Sequence, residues 1–309
     1  MSSKIVVVGS SMIDFTTYSS RLPKPGETIF GSKFEQSFGG KGANQCVTAA
    51  RLAASTTFIT SLGSDIFAQQ YIEKLKKEGI DVTYSKLRKD AHSGVAQIVV
   101  AENGENSIVI IPGSNELLST KDVDEAADVI KNSSILLCQF ETPLNVTLHA
   151  LRLKKNHGIS IVNGAPAVKS IDPEILSLAD IFCVNETEAE CITGIDNLTV
   201  SNAQEAIDKL LLLGCNIVII TFGSSGAIFA SSDNPKVSFV PADKVKPIDT
   251  TGAGDAFLGA FAYFKAYHPN LSMEESIRRS CRIATQSVLK PGTQTSFPRK
   301  EELPKDLFL

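Results

Sequence analysis

Five short apolar runs, at 57–61, 135–139, 160–163, 181–184 and 216–221, alternate with segments of helical periodicity near 66–78, 120–131, 144–156, 186–192 and 203–213. A sixth run, 5–8, opens the chain. Parallel strands need a crossover between them, and strands covered on both faces read as unbroken apolar runs. The alternation therefore predicts an α/β fold, a three-layer sandwich with a mostly parallel central sheet flanked by helices. No repeat, low-complexity tract or linker interrupts it, so a single domain over 1–309 is expected. Hydrophobic residues make up 43% of the chain, enough for a large core.

One region breaks the pattern. Segments 15–18 and 28–38 alternate polar and apolar residues around Pro23-Lys24-Pro25-Gly26, where a helix would normally follow the first strand. Segments 94–100 and 107–111 do the same around Glu102-Asn103-Gly104-Glu105, a hairpin turn. Together 15–38 and 94–112 form a small β appendage. A few strands with one apolar face are not stable alone, so the appendage covers a ligand cleft, another subunit, or both.

In open α/β sheets, ligands sit beyond the carboxyl ends of the strands. Asp14, Glu141, Asn163 and Asn185 follow four of the apolar runs, and Thr221-Phe222-Gly223-Ser224-Ser225-Gly226 follows another. Each has a plainer reading. Asp14 also suits an ordinary turn, and Asn185-Glu186-Thr187-Glu188 also suits a helix cap. Gathered on one sheet edge, they outline a cleft. Glu188 or Glu186 is placed to orient a magnesium ion that keeps most of its waters.

Two glycine-rich turns stand apart. Gly39-Gly40-Lys41-Gly42-Ala43-Asn44-Gln45 precedes a helix expected at 45–52; its glycines let the backbone approach a polar ligand, to which Lys41 and Asn44 offer polar groups. The phosphate-loop spacing G-x-x-x-x-G-K-S/T is absent there, and the turn Gly9 to Asp14 after the first run is not the dinucleotide fingerprint G-x-G-x-x-G, which argues against a nicotinamide dinucleotide enzyme. Asp249-Thr250-Thr251-Gly252-Ala253-Gly254-Asp255 leads into an apolar helix at 256–267. The first amides of a helix have no internal partner and carry roughly half a positive charge, so a side-chain-free first turn is an anion site. Asp255 either complements the helix dipole or takes a proton from an attacking hydroxyl. The tail 291–298 is too polar for a core and reads as a surface loop, or as a segment returning to the cleft mouth.

A net charge of -4 with scattered basic residues disfavours nucleic-acid or acidic-membrane partners. The run 5–8 after Met1-Ser2-Ser3-Lys4 is too short for a signal peptide or a membrane span. Cys46, Cys138, Cys183, Cys191, Cys215 and Cys281 are widely spaced and form no C-x-x-C pair, so they read as small buried hydrophobes in a reducing compartment. A cytoplasmic protein is expected, and the nucleus is compatible.

With both glycine turns and the strand-end polar residues in view, the chain resembles the ribokinase-type carbohydrate kinase family from about residue 5 to 298. The two signatures stand in the right order and separation. The resemblance implies a Rossmann-like sandwich with a β lid that also forms a homodimer contact. It implies ATP-dependent phosphorylation of the 5-hydroxyl of D-ribose. In that family the aspartate matching Asp255 is the catalytic base, and the amides matching Gly252, Ala253 and Gly254 form the anion hole. The sugar site would be Met12, Ile13, Asp14, Gly40, Lys41, Gly42, Ala43, Asn44, Glu141 and Asp255. ATP would lie over Asn185, Thr221, Phe222, Gly223, Ser224, Ser225, Gly226, Gly254 and Asp255, with Glu188 holding magnesium through water. An activating potassium ion would sit near Asp249, Thr251, Ser287, Lys290, Gly292 and Ser296, several through backbone carbonyls.

Three residues depart from the family pattern. Met12 stands where many bacterial members have asparagine, which removes one sugar hydrogen bond. Ala53 replaces a glycine, and Cys281 stands where an asparagine often lies near the nucleotide, so no binding role is carried to it. The rivals are a kinase for deoxyribose, fructose or adenosine, and a non-catalytic sugar-binding regulator. Lys41 and Asn44 favour a small polyhydroxylated sugar, and 7% aromatic residues without tryptophan leave little platform for a nucleobase. The intact Asp255 speaks against a silent regulator.

Overall fold

A computed structural model describes residues 4–309; Met1 to Ser3, which begin the single domain expected over 1–309, lie outside the described residues. The chain starts with β1 (Lys4–Val8), β2 (Met12–Ser19) and β3 (Gly31–Gly39), then enters α1 (Lys41–Arg51). Next come β4 (Ser55–Ile59), β5 (Ser61–Leu62), α2 (Ile66–Lys77), β6 (Lys86–Leu87), β7 (Gly94–Ala101) and β8 (Asn106–Ile111). Helices α3 (Thr120–Glu125) and α4 (Ala127–Asn132) divide the single helix expected at 120–131. The alternation follows: β9 (Ile135–Cys138), α5 (Leu144–Lys154), β10 (Ile159–Asn163), α6 (Pro173–Leu178), β11 (Ile181–Asn185), α7 (Glu186–Thr193), α8 (Ala203–Leu212) and β12 (Ile217–Thr221). The chain closes with β13 (Gly226–Ser231), β14 (Ser238–Pro241), α9 (Ala253–Tyr267) and α10 (Met273–Ser287).

The central sheet runs β14-β13-β12-β11-β10-β9-β1-β4. Its strands from β12 to β4 are parallel, and β13 and β14 extend it antiparallel. Alternate side chains of each strand enter opposite cores, as a strand's two-residue period requires. Ile5, Val7, Ile135 and Leu137 pack beneath α1, α9 and α10, whereas Val6, Val8, Leu136 and Cys138 pack beneath α3 to α8. This is the expected three-layer sandwich. Strands β13 and β14 and helices α6 and α10 are not among the elements expected from the sequence pattern. In α10 the buried face includes Ser276, Ser280 and Ser287, which hides the apolar stripe of Ile277, Cys281 and Ile283.

A separate sheet, ordered β3-β2-β7-β8, projects from the end of β1. Strand β2 begins at Met12, before the expected 15, because Met12 already pairs with Gly39 and with Gly94. Met12, Ile13 and Asp14 therefore belong to this sheet and not to a turn. Strand β3 begins at Gly31, after the expected 28.

Helix α1 begins at Lys41, four residues before the expected 45. Its first turn thus carries Lys41, Gly42, Ala43 and Asn44. Gly40 precedes it with φ 90, and a Cβ there would lie 2.8 Å from Met12 N and 2.9 Å from Ser10 O. Only glycine lets the β1–β2 turn pass so close. At the far end, Ala53 adopts φ 70, a left-handed conformation in which the family's glycine carries no Cβ strain.

Candidate active site

Gly252 enters α9 in the left-handed conformation, φ 78. The Ala253 N–H turns back to Thr250 O at 3.2 Å. Of the three amides expected in the anion hole, those of Gly252 and Gly254 have no protein acceptor among the described residues, and neither does that of Asp255. Gly254 is exposed, and a Cβ on it would meet nothing within 4 Å. The turn is open because no side chain covers it.

Asp255 is 8% exposed. Its Oδ2 accepts Asn44 Nδ2 at 2.9 Å and its Oδ1 accepts Gln45 Nε2 at 2.9 Å. Both amides come from α1, which lies so close to α9 that a Cβ on Gly259 would stand 2.5 Å from Gln45 O. Burial raises the Asp255 pKa, while Lys41 and the two amides oppose the rise. Gln45, passed over as a site residue, continues inward: its Oε1 accepts Gln139 Nε2 at 2.7 Å. That direction is dictated by the carboxylate, which only accepts, and it leaves Gln139 Oε1 buried without a partner. Residue 9 is glycine for the same reason, since a Cβ there would lie 1.9 Å from that oxygen.

On the small-sheet side, Glu141 Oε2 accepts the Ser10 hydroxyl and the Lys41 N–H, the latter at 2.8 Å. Asp14 stands near it, and burial, with Glu141 adding, pushes its pKa up to about 7. Desolvation works against the Lys41 ammonium, yet Asp255, Glu141 and Glu188 outweigh it and raise its pKa. Ile13 and Ala43, expected against the sugar, have fully buried side chains in the core beneath α1. A Cβ on Gly42 would meet Ser10 N at 2.6 Å, so that glycine serves packing between α1 and the β1 turn. Met12 is 4% exposed, with its Sδ 3.6 Å from Asn115 Nδ2. Of the residues expected around the sugar, Asp14, Lys41, Asn44 and Glu141 are left with polar side chains on this side of Asp255.

A polar cavity of about 180 Å³ joins Lys41, Asn163, Asn185, Glu188, Gly252 and Asp255. A larger one of about 810 Å³ lies between the Gly223–Ser225 turn, β14 and α10. The two share Thr221, Thr250, Ala253, Gly254 and Phe257 in their walls, so the open end of α9 separates them. Gly223, Ser224, Ser225 and Gly226 line the larger cavity, as does Cys281, while Phe222 is 7% exposed and packs in the core. Asn185 is both a cap and a cavity residue: its side chain accepts Glu188 N–H at 2.8 Å, and Glu188 Oε2 accepts Asn185 N–H at 2.9 Å. Burial raises the Glu188 pKa.

Asp249 clasps two loops, accepting Thr251 N–H at 2.9 Å and Gly292 N–H at 2.8 Å, and these bonds outweigh burial to lower its pKa. The Ser287 and Ser296 hydroxyls each donate to a carbonyl three residues earlier, and Lys290 Nζ faces Glu302 at 3.8 Å. The tail is not a surface loop, because Gln294, Ser296 and Phe297 are buried. Its polarity is matched internally: Gln294 contacts Asn44, Tyr71 and Lys74. Nothing in the local sequence of 291–298 signals those partners, which come from α1 and α2.

Residues 2–300 match the family described as pfkB family carbohydrate kinase. The chain belongs to this family. The kinase is 45% identical over 305 residues to a ribokinase of Mus musculus, covering 98% of this chain and 94% of the relative. It is 39% identical over 306 residues to a deoxyribokinase of Salmonella typhi, covering 99% of each. Among solved structures, the Arabidopsis thaliana ribokinase complexed with ribose and ATP superposes with a TM-score of 0.90 at 30% identity, covering 100% of both chains.

Proposed function

We propose that the kinase transfers the γ-phosphoryl group of ATP to the 5-hydroxyl of D-ribose, giving D-ribose 5-phosphate and ADP. One observation carries the reading: a nearly buried Asp255 carboxylate, oriented by Asn44 and Gln45, stands beside three free amides where the two cavities meet. Asp255 accepts the hydroxyl proton, the sugar oxygen bonds to the γ-phosphorus, and the bond from that phosphorus to ADP breaks. The amides of Gly252, Gly254 and Asp255 take up charge on the transferring group. Asp14, Lys41, Asn44 and Glu141 hold the sugar, with Gly40 allowing main-chain approach. The Gly223–Gly226 turn walls the nucleotide side.

Magnesium, when bound, neutralises phosphate charge. Glu188 fits the role of orienting its waters, because one carboxylate oxygen serves the helix cap and Oε1 is left over. Potassium, when bound, would stiffen the loop that leads into α9 and the loop that follows α10. Asp249 fits that site as a clasp, since both its oxygens already accept amides. The cation would therefore take main-chain oxygens among Asp249, Thr251, Ser287, Lys290, Gly292 and Ser296.

The small sheet acts as a lid over the sugar and as a homodimer contact. All of β8 is exposed, with Ile108 51%, Val109 61% and Ile110 51% accessible, and Phe34 on β3 at 62%. An open apolar edge strand is a template for pairing. Ile110→Lys should sediment as a monomer if this contact holds the dimer. The same reading makes the enzyme cytoplasmic, in keeping with six free cysteines.

Deoxyribose is the second reading, favoured by the 39% identity to the deoxyribokinase of Salmonella typhi. Coupled ADP release with D-ribose, 2-deoxy-D-ribose, fructose and adenosine, with and without potassium, tests both. The highest kcat/KM is expected with ribose. Turnover of another member of the panel with none of ribose would overturn the assignment.

A further inference from the structure

The polar tail delivers one buried amide to the neighbour of the Asp255 carboxylate. Gln294 is 3% exposed; its Nε2 donates to Asn44 Oδ1 at 3.0 Å and to Tyr71 Oη at 2.8 Å, and its Oε1 accepts Lys74 Nζ. Asn44 Nδ2 donates onward to Asp255 Oδ2. The Tyr71 hydroxyl donates to Gly39 O at 2.6 Å, at the junction of β3 and α1. Arg51 secures the tail by donating to the carbonyls of Gln294 and Phe297.

The two ends of this chain settle its direction. A carboxylate only accepts hydrogen bonds and an ammonium only donates them. Between them two amides have one self-consistent arrangement: Lys74 to Gln294, Gln294 to Asn44, Asn44 to Asp255. We propose that Gln294 is a positioning residue for phosphoryl transfer, carrying the donor polarity of Lys74 through Asn44 so that Asp255 is held as an ionised, correctly turned proton acceptor. The proposal rests on Asp255 being the base. Lys41, Glu141 and Glu188 also act on Asp255; burial, with Arg51 and Arg299 adding and Glu78 opposing, lowers the Lys74 pKa to about 8, which leaves it an ammonium at neutral pH. All of these remain in a Gln294 variant.

Gln294→Glu is the discriminating change. Its carboxylate still pairs with Lys74 but has no N–H for Asn44, so Asn44 turns its NH₂ toward residue 294 and its oxygen toward Asp255. Two facing acceptors favour the protonated carboxyl. The expected result is a kcat lower by about tenfold at neutral pH and an acid limb of the kcat–pH profile moved up by about one unit. KM for ATP should stay within about twofold of wild type. Gln294→Met, which drops both partners at similar volume, should lower kcat without that upward shift. A merely structural role would lower the melting temperature of both variants and leave the limb in place, and that result overturns the proposal.

If Gln294→Glu fails to fold, Lys74→Met supplies the test: without the obligate donor only the Tyr71 hydroxyl, which can rotate off Gly39 O, still orders Gln294, and a smaller upward shift is expected. An unchanged profile there overturns the proposal. Asp255→Asn is run beside these variants. Wild-type turnover by it defeats the base assignment itself, whereas an inactive Asp255→Asn with a wild-type Gln294→Glu profile defeats only the role of Gln294.

Discussion

Replacing Asp255 with asparagine keeps the side chain's shape and removes the proposed base. The carboxylate accepts one N–H from Asn44 and one from Gln45, so an amide in its place must turn its own NH₂ toward one of two donors. Turning toward Asn44 forces Asn44 and then Gln294 to flip, which sets the Gln294 NH₂ against the Lys74 ammonium. Turning toward Gln45 forces Gln45 and Gln139 to flip, and that path ends at Gln139 Oε1, an atom already lacking a partner. The second path replaces one orphan atom by another. It also removes a charge that burial disfavours.

Stability should therefore stay within about 1 kcal/mol of wild type, a melting shift of no more than about 4 °C. Turnover should fall by about 10²- to 10⁴-fold, the usual cost of losing a positioned base, if the proposal holds. That loss corresponds to about 3–5 kcal/mol in the barrier. Coupled ADP release gives kcat and KM for both substrates, and a thermal melt gives the stability. Wild-type kcat would refute the mechanism. A melting point lowered by much more than 4 °C would refute the account of the amide chains.

Gly254→Ala and Gly252→Ala should move stability in opposite directions. The first adds a methyl in open space at a helical position, so it should stabilise by about 0.4–1 kcal/mol while its methyl crowds the amides and lowers kcat/KM for ATP at least about tenfold. The second puts a Cβ 2.5 Å from Thr293 Cγ2 at φ 78 and should destabilise by about 2 kcal/mol or more in chemical denaturation. Arg51→Ala breaks a nearly buried ion pair with Glu78, 2.6 Å long with 10% and 7% of the side chains accessible. Since Arg299 still reaches Glu78 at 2.9 Å, about 3 kcal/mol, the low end for such a loss, is expected in urea unfolding. Burial raises the Asp14 pKa from 3.8 to about 7, so in that interval the folded protein keeps a proton that the unfolded chain releases. Its contribution to stability is full below 3.8 and is lost as pH climbs to about 7; Asp14→Asn should gain on wild type across that window. With Asp14 as the proposed acceptor of sugar hydroxyls, KM for ribose should fall as pH rises through about 7 in wild type and stay flat in the variant.

The alternation of apolar runs and helical segments carried the central sheet, because parallel strands buried on both faces tolerate few polar residues and so stand out against their crossovers. Boundaries failed where tertiary partners extended an element. Met12 to Asp14 read as a turn after a strand, and only pairing with β3 and β7 makes them part of β2. Lys41 to Asn44 read as a loop because glycine disfavours helix, yet the glycines are there for the passage of the β1 turn. Helix α10 was hidden by serines that bond back to its own carbonyls.

The local chemistry of the site lay in the order of residues: a bare helix start followed by a carboxylate at Asp255, and a lysine and amides among glycines at 39–45. Those features act through neighbours in the chain, so the sequence alone determined them. What orients Asp255 does not. Gln45, Gln139, Gln294, Tyr71 and Lys74 are drawn from two helices, a strand end and the tail, and Gln294 meets Asn44 across 250 positions of chain. A glutamine's role depends on which groups at the ends of its hydrogen-bond chain only give and which only accept. Folding alone brings those ends together.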